Sequence, residues 1–252
     1  MFLGSGSAFW LKPDNFQSNI LLTSDGGKRL LIDCGTDIRF SLATAGMSYG
    51  DIDDVYVSHL HADHVGGLEF LGFSSRFDRD CAQPGLYISE SIVDELWTNC
   101  LMGGMSIIDS KLCTLADYFS VHALPETGKF VWEGVEFNLV ATDHVVGKEK
   151  SMMSYGLFFT VGNKSIFLTT DTRFCPQRLA QHMEDADLML HDCETSPGAS
   201  GVHARFEDLS SLPKAIKEKM WLYHYDDGPL PDPLKAGFCG FVDRGQIFEL
   251  PE

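Results

Sequence analysis

Within Ser58-His59-Leu60-His61-Ala62-Asp63-His64, three imidazoles and a carboxylate stand directly after the apolar run Val55-Tyr56-Val57. Imidazole nitrogen and carboxylate oxygen are the donors that Zn²⁺ takes readily, and histidine-rich sites with an open position are catalytic more often than structural. Side chains of an extended chain alternate between faces, so His59 and His61 leave a strand end on one side. A turn after them lets Asp63 and His64 address a second point a few ångströms away. The plain alternative is a solvated histidine-rich turn, but such ligand density rarely follows a buried strand.

Three further polar residues follow apolar runs in an order that completes a two-metal ligand set. They are His144 in Ala141-Thr142-Asp143-His144, Asp171 in Thr169-Thr170-Asp171-Thr172, and His224 after Trp221-Leu222-Tyr223. Each alone reads more readily as a hydrogen-bonded core residue. Together they give His59, His61 and His144 for one ion and Asp63, His64 and His224 for the other. Asp171 would bridge the two, one oxygen to each. His122, His182 and His191 match no ligand spacing, and His191 reads as structural. Backbone amides of Gly4-Ser5-Gly6 could approach a phosphate, although a tight turn before a strand accounts for them equally well.

The positioning elements are short β-like runs with helical stretches between them. Strands are expected over 19–22, 29–33, 55–57, 86–88, 135–140, 157–161, 165–168, 188–190, 221–224 and 246–250. Ser24-Asp25-Gly26-Gly27 and Gly162-Asn163-Lys164 read as hairpin turns. Helices are expected over 37–45, 67–73, 90–101, 176–182 and 206–219, the last interrupted at Pro213. This pattern predicts two sheets packed face to face with helices outside.

The chain has 252 residues, 44% of them hydrophobic, which is enough for one substantial core. No Pro/Gly/Ser linker or internal repeat divides it, so a single domain over 1–252 is expected. A formal net charge of −17 repels polyanions at long range and argues against tracking extended nucleic acid or anionic membrane. A small anion is still admissible, because metal ions in a cleft reverse the local potential. Seven scattered cysteines without a paired CxxC form neither a disulfide framework nor a thiolate zinc site, and most read as small buried hydrophobes. No basic, apolar leader and no run of about 18 apolar residues is present. A cytoplasmic protein that does not enter membranes is expected.

In its ligand order the chain resembles the metallo-β-lactamase superfamily, from Phe2-Leu3-Gly4-Ser5-Gly6-Ser7-Ala8-Phe9 to His224. It is most similar to the RNase Z-related phosphodiesterases through Asp33-Cys34-Gly35, the His-x-His-x-Asp-His run, His144 followed by Ser154-Tyr155-Gly156, and Asp171-Thr172-Arg173. Ala186-Asp187-Leu188-Met189-Leu190-His191-Asp192 fits that branch, as does His203, 21 positions before His224. Asp192 stands where the branch usually has glutamate, with the same charge and a shorter reach. A closer likeness is to phage-encoded anti-Pycsar proteins, which hydrolyse cyclic mononucleotides. It lies in Leu31-Ile32-Asp33-Cys34-Gly35, Asp51-Ile52-Asp53-Asp54, Gly66-Gly67-Leu68-Glu69-Phe70-Leu71-Gly72-Phe73 and Met220-Trp221-Leu222-Tyr223-His224-Tyr225.

The resemblance implies an α/β (α+β) fold, an αβ/βα four-layer sandwich of two mixed sheets with helices on the outer faces. It implies two Zn²⁺ ions, replaceable by Mn²⁺ or another divalent ion, and opening of 3′,5′-cyclic mononucleotides to nucleoside 5′-monophosphates. Such an activity would blunt cyclic-nucleotide antiphage signalling, in the host cytoplasm if the chain is phage-encoded. His203 oriented by Asp192 would protonate the leaving sugar oxygen, and Asp63 would count as a catalytic group besides being a ligand. A homodimer is implied by family habit. An RNase Z-like endonuclease acting on RNA 3′ ends fits less well, since only 27 positions separate His144 from Asp171, too few for that family's RNA-gripping arm. A flavodiiron redox protein would need glutamate at His61 and a flavin domain. A non-catalytic nucleotide-sequestering protein would need no second metal, and hydrolysis of lactones or thioesters remains compatible with the ligand set.

Overall fold

Alternation along three parallel strands builds two apolar layers at once. In Lys164–Leu168, Leu188–Asp192 and Met220–Tyr223, the residues Ile166, Leu168, Leu188, Leu190 and Tyr223 enter one hydrophobic cluster. Their neighbours Phe167, Met189 and Leu222 enter a second. That is what period-two geometry demands of strands covered on both faces. The computed structural model describes residues 1–251 and shows how the two layers are closed.

Among the described residues, a six-stranded sheet runs in the order Phe2–Gly4, Asn19–Thr23, Arg29–Ile32, Asp54–Val57, Gly85–Ser89, Ser120–Leu124. A seven-stranded sheet runs Gly240–Phe241, Met220–Tyr223, Leu188–Asp192, Lys164–Leu168, Met152–Val161, Val135–Val145, Lys129–Trp132. Each sheet is part antiparallel and part parallel. The larger cluster fills the space between them, where Tyr56 of the first sheet stacks on Phe130 of the second at 5.8 Å. The Tyr56 hydroxyl donates to the Tyr155 carbonyl at 2.7 Å, and Tyr155 N–H donates to the Ser58 carbonyl at 3.1 Å. The smaller cluster lies under the helices Pro176–Asp185 and Phe206–Ser210, while Ile38–Thr44 and Leu68–Phe77 bury Ile38, Leu42, Leu68 and Leu71. No helix among the described residues is long and apolar enough to cross a membrane.

Several sequence expectations need correction. Residues 246–250 form no strand; Phe248 instead packs edge-on against Phe2 and Trp221. The helix expected over 90–101 is short at Val93–Glu95 and continues as a π-helical stretch, Leu96–Leu101. Gly4 ends the strand Phe2–Gly4, where a Cβ would meet the Gln17 carbonyl oxygen at 2.3 Å. Phe2–Gly4, Ser120–Leu124 and Lys129–Trp132 are strands that the pattern did not predict. All seven cysteines are free, but only Cys34, Cys113 and Cys193 are buried. The break at Pro213 is present, between Phe206–Ser210 and Lys214–Lys217.

The segment that carries the histidine run is clamped at its far end by close backbone contact. Cys34 N–H donates to the His64 carbonyl at 2.7 Å, and Gly67 N–H donates to the Cys34 carbonyl at 2.8 Å. A Cβ on Gly67 would meet the Gly35 carbonyl oxygen at 2.3 Å and Ile38 Cγ2 at 2.4 Å. Gly67→Ala should therefore cost about 1–3 kcal/mol, the usual range for overpacking. Chemical denaturation measures it, and an unchanged midpoint would show that this contact is not tight.

Candidate metal centre

The chemically loaded residues lie where parallel strands end. The strand Asp54–Val57 is fully enclosed between Arg29–Ile32 and Gly85–Ser89, so its continuation Ser58-His59 is delivered into the interior. The turn after it enters the short helix Ala62–Val65, which turns Asp63 and His64 toward the same interior. His144 is placed differently. The pairing of Val135–Val145 with Met152–Val161 slips between Asp143 and Val145, which leaves His144 as the extra residue of a β-bulge. Bulges re-aim single side chains beside functional sites. Asp171 follows Lys164–Leu168, Asp192 closes Leu188–Asp192, and His224 follows Met220–Tyr223.

All seven sequence-predicted metal residues converge in two clusters that share Asp171: His59, His61, His144 and Asp171, and Asp63, His64, Asp171 and His224. His61 Nδ1 lies 3.1 Å from His59 Nε2 and 2.9 Å from His144 Nε2. These separations approach the roughly 3.3 Å edge of a tetrahedron whose Zn–N distance is about 2.0–2.1 Å. In the second cluster, Asp63 Oδ2 is 3.1 Å from His64 Nε2 and 3.2 Å from His224 Nε2. Asp171 Oδ2 lies 3.3 Å from His64, 3.6 Å from His59 and His224, and 3.7 Å from His144.

The donor chemistry fits divalent cations. Both oxygens of Asp171, and His64 Nε2, are buried and make no hydrogen bond of good geometry. A buried carboxylate without a donor is strongly unfavourable unless a cation offsets it. Burial pushes the His59 imidazole well below its usual pKa and the His144 imidazole down to about 4, so both offer a neutral nitrogen. Burial acts in the same direction on His64 and His224. There Asp171, with Asp63, Asp33 and Asp192, outweighs it and raises both well above the usual value.

A second ring of hydrogen bonds fixes which nitrogen His59, His64 and His144 present. His64 Nδ1 contacts Asp33 Oδ2 at 2.7 Å, and Asp33 also accepts from Ser58 N–H and Oγ–H, each at 2.8 Å. His144 Nδ1–H donates to the Val202 carbonyl at 2.9 Å. His59 Nδ1 lies 3.0 Å from Ser58 Oγ and 3.4 Å from Ser154 Oγ, and Ser154 in turn meets Thr170 Oγ1 at 2.8 Å. Among these, Asp33 was visible in the sequence only as part of a family stretch. Its signal was an acidic residue closing an apolar strand beside the histidine strand.

His203 and Asp192 meet beside the clusters. His203 Nδ1 contacts Asp192 Oδ2 at 2.8 Å, so aspartate reaches as far as this pairing needs. The His203 side chain keeps 17% of its surface exposed, against 0% for Asp192. Burial lowers the His203 pKa, and the Asp192 carboxylate raises it by more, giving a net rise. Asp192 also accepts from Thr172 N–H at 2.9 Å. His191 is buried with Nδ1–H donating to the Asp192 carbonyl at 2.7 Å, as a structural residue should. His122 stacks on Tyr87 and His182 packs against Phe158 and Phe167, away from the centre.

A cavity of about 790 Å³ opens onto the clusters, and His61, Asp63, Asp171, His203 and His224 line it. Ser7, Ala8, Phe9, Glu194, Ser200, Val202 and Asp226 also line it. Phe9, Glu194 and Asp226 were not foreseen, since nothing in their local sequence marks them.

If the clusters hold metal, adding Zn²⁺ or Mn²⁺ at about 100 times its Kd should stabilise the fold by about 2.7 kcal/mol. At this chain length that is a melting shift of roughly 5–10 °C. Chelator should remove the shift, and Asp171→Ala should abolish most of it. A melting curve indifferent to metal and chelator would exclude the centre. Protons held on His64 and His224 must leave before a cation can bind. Metal affinity, read by calorimetry, should therefore fall as pH is lowered.

The description "Anti-Pycsar protein Apyc1" belongs to a family model that matches residues 1–248. Proteins carrying that name include one from Paenibacillus harenae, 36% identical over 251 residues that cover 98% of each chain. Another, from Bacillus phage vB_BveM-Goe7, is 31% identical over 254 residues, covering 97% of this chain and 95% of its own. Among solved structures, the metallo-β-lactamase fold protein YhfI from Bacillus subtilis superposes with a TM-score of 0.75 at 18% identity, over 98% of both chains. A diphosphatase of the PhnP family gives 0.75 at 20% identity, over 99% of this chain and 97% of its own. Human tRNase Z, short form, gives 0.70 at 17% identity, over 100% and 99%. The architecture is therefore the metallo-β-lactamase fold.

Proposed function

This chain belongs to the anti-Pycsar protein Apyc1 family, and on that premise we propose that it is a zinc-dependent phosphodiesterase. It opens 3′,5′-cyclic mononucleotides to nucleoside 5′-monophosphates and so blunts a cyclic-nucleotide antiphage signal. The observation that carries this reading is the charge of the cavity wall. His61, Asp63, Asp171 and His224 of the metal-ligand clusters line it together with Glu194 and Asp226, and no lysine or arginine is among the lining residues. An anion has one place to go, where bound cations reverse the local potential. A second phosphate would find no cationic side chain in the wall, which favours a substrate with a single phosphodiester over a dinucleotide or a polynucleotide.

Two divalent ions held by His59, His61, His144, Asp63, His64 and His224, with Asp171 shared, would supply Lewis-acid stabilisation of the phosphoryl oxygens and an activated water. The chain's own part is proton control. His203 uses Nδ1 against Asp192 and lines the cavity, with Nε2 as its remaining nitrogen. Against the effect of burial, the Asp192 carboxylate raises the His203 pKa and so favours the protonated ring. His203 gives its proton to the 3′ oxygen as the P–O3′ bond breaks, and the proton released by the attacking water restores it. Asp192, fully buried, holds the ring in place and stabilises the imidazolium. The homodimer implied by resemblance and the single-domain reading belong to the same proposal.

The test is a panel of 3′,5′-cyclic mononucleotides, cyclic dinucleotides and a pre-tRNA, each with and without chelator. Chelator-sensitive release of 5′-monophosphate from the cyclic mononucleotides is expected. Formation of 3′-monophosphate would reverse the assigned leaving group, and cleavage of pre-tRNA alone would overturn the substrate class. His203→Ala should lower kcat by about 10²–10⁴, the usual weight of general acid help, while metal uptake stays intact. Sedimentation velocity tests the dimer.

A further inference from the structure

Phe9 lines the catalytic cavity with 82% of its surface in water. The chain on either side of it is anchored. Ser7 N–H donates to the Tyr225 carbonyl at 2.9 Å, and the Ala8 carbonyl accepts from Gln17 Nε2 at 3.2 Å. The Trp10 ring meets Tyr225 edge-on at 5.7 Å and covers Gly6, where a Cβ would touch it at 2.8 Å. Trp10 Nε1–H donates to the Lys12 carbonyl at 2.9 Å, and the Lys12 ammonium donates to the Asp227 carbonyl. The loop is thus fastened to the segment just after His224, and still the phenyl ring forgoes the hydrophobic stabilisation of burial. Ala8, Ala62, Ala199 and Val202 add apolar wall to the same cavity.

An aromatic face held bare beside a phosphoryl site has an evident use. We propose that Phe9 is the base-stacking residue of this cavity, so that the phosphodiester goes to the His/Asp clusters and the nucleobase lies on the Phe9 ring. The assignment rests on the cyclic-nucleotide reading above. Stacking on an aromatic ring is tolerant of base identity, because every base has a π face. Phe9 therefore sets affinity for nucleosides as a class and predicts activity on purine and pyrimidine substrates alike.

The experiment compares the metal-loaded chain with its Phe9→Ala, Phe9→Trp and Leu11→Ala variants. Leu11 is 88% exposed and does not line the cavity, so its variant controls for loss of exposed apolar surface. For 3′,5′-cyclic AMP and CMP, Phe9→Ala should raise KM about 5- to 140-fold, the fold-change that corresponds to loss of one base stack. Phe9→Trp should restore KM, and Leu11→Ala should leave it in place. Calorimetric Kd for a phosphorothioate analogue of cyclic AMP should follow the same order. An abasic ribose 3′,5′-cyclic phosphate should be hydrolysed alike by wild type and Phe9→Ala. If the wild type opens cyclic nucleotides while Phe9→Ala keeps its KM and Kd, or if Leu11→Ala loses affinity equally, the stacking role is wrong. A wild type inert on every cyclic nucleotide sinks the functional reading and this role together.

Discussion

The carboxylate of Asp171 is the group around which the rest of the structure is arranged. It is buried, neither oxygen has a hydrogen-bond partner, and one oxygen stands within 3.7 Å of four imidazole nitrogens from three separate segments. In an interior of low dielectric such a charge has large consequences, and mutual attraction to the His224 and His64 rings holds its pKa well below normal against the opposing effect of burial. The backbone that delivers it is strained. Thr170, a β-branched residue, sits at φ 53, and Asp33 and His224 sit at φ 62 and φ 61. Each left-handed non-glycine residue costs on the order of 1–3 kcal/mol, and the two packed apolar layers must hold it there. All three occur where a strand of the parallel array runs out into the site.

Strain of this kind is useful only if the side chains it aims are also fixed in rotation and tautomer. The second ring does that with small groups: Asp33, Ser58, Ser154 and Thr170 behind His59 and His64, the Val202 carbonyl behind His144, and Asp192 behind His203. Asp33 does double duty, because it also ties Ser58 N–H and so locks the strand end from which the histidine run departs. Ligand geometry and strand geometry are in this sense one hydrogen-bonded unit. Gly35 and Gly67 let the two segments approach closely enough for that unit to close.

Most of the site was legible because its donors are dense and ordered. His59, His61, Asp63 and His64 announce themselves by spacing, and His144, Asp171 and His224 by following apolar runs. The hairpin turns and central strands were legible for the same reason, since alternating burial leaves a period in the sequence. What was not legible depends on partners distant in the chain. Ser120–Leu124 is a strand because Gly85–Ser89 offers it a parallel edge, not because its own exposed residues demand it. Residues 246–250 have the composition of a strand, but the backbone meets the edge strand only at Phe2, through Gly245 N–H and the Gln246 carbonyl, and Phe248 packs its side chain against Phe2 and Trp221. The bulge at His144 and the exposure of Phe9 arise from register and loop anchoring, neither of which leaves a local mark.

Net charge and site chemistry pull in opposite directions, and the distances over which they act decide the outcome. A formal charge of −17 repels anions, but exposed charges are screened beyond about 8 Å at physiological ionic strength. Inside the cavity, a pair of divalent ions on the Asp171 clusters would act at contact distance with little screening. A small phosphodiester carries one negative charge through the repulsive zone and recovers that cost at the centre. A polynucleotide must place many charges against an acidic surface and recovers only the one that reaches the ions. Glu194 and Asp226, with no lysine or arginine beside them, carry the same sign of charge into the cavity lining. On the function proposed above, selection for a single phosphate would thus be imposed twice by one sign of charge, first at the surface and again beside the His/Asp clusters.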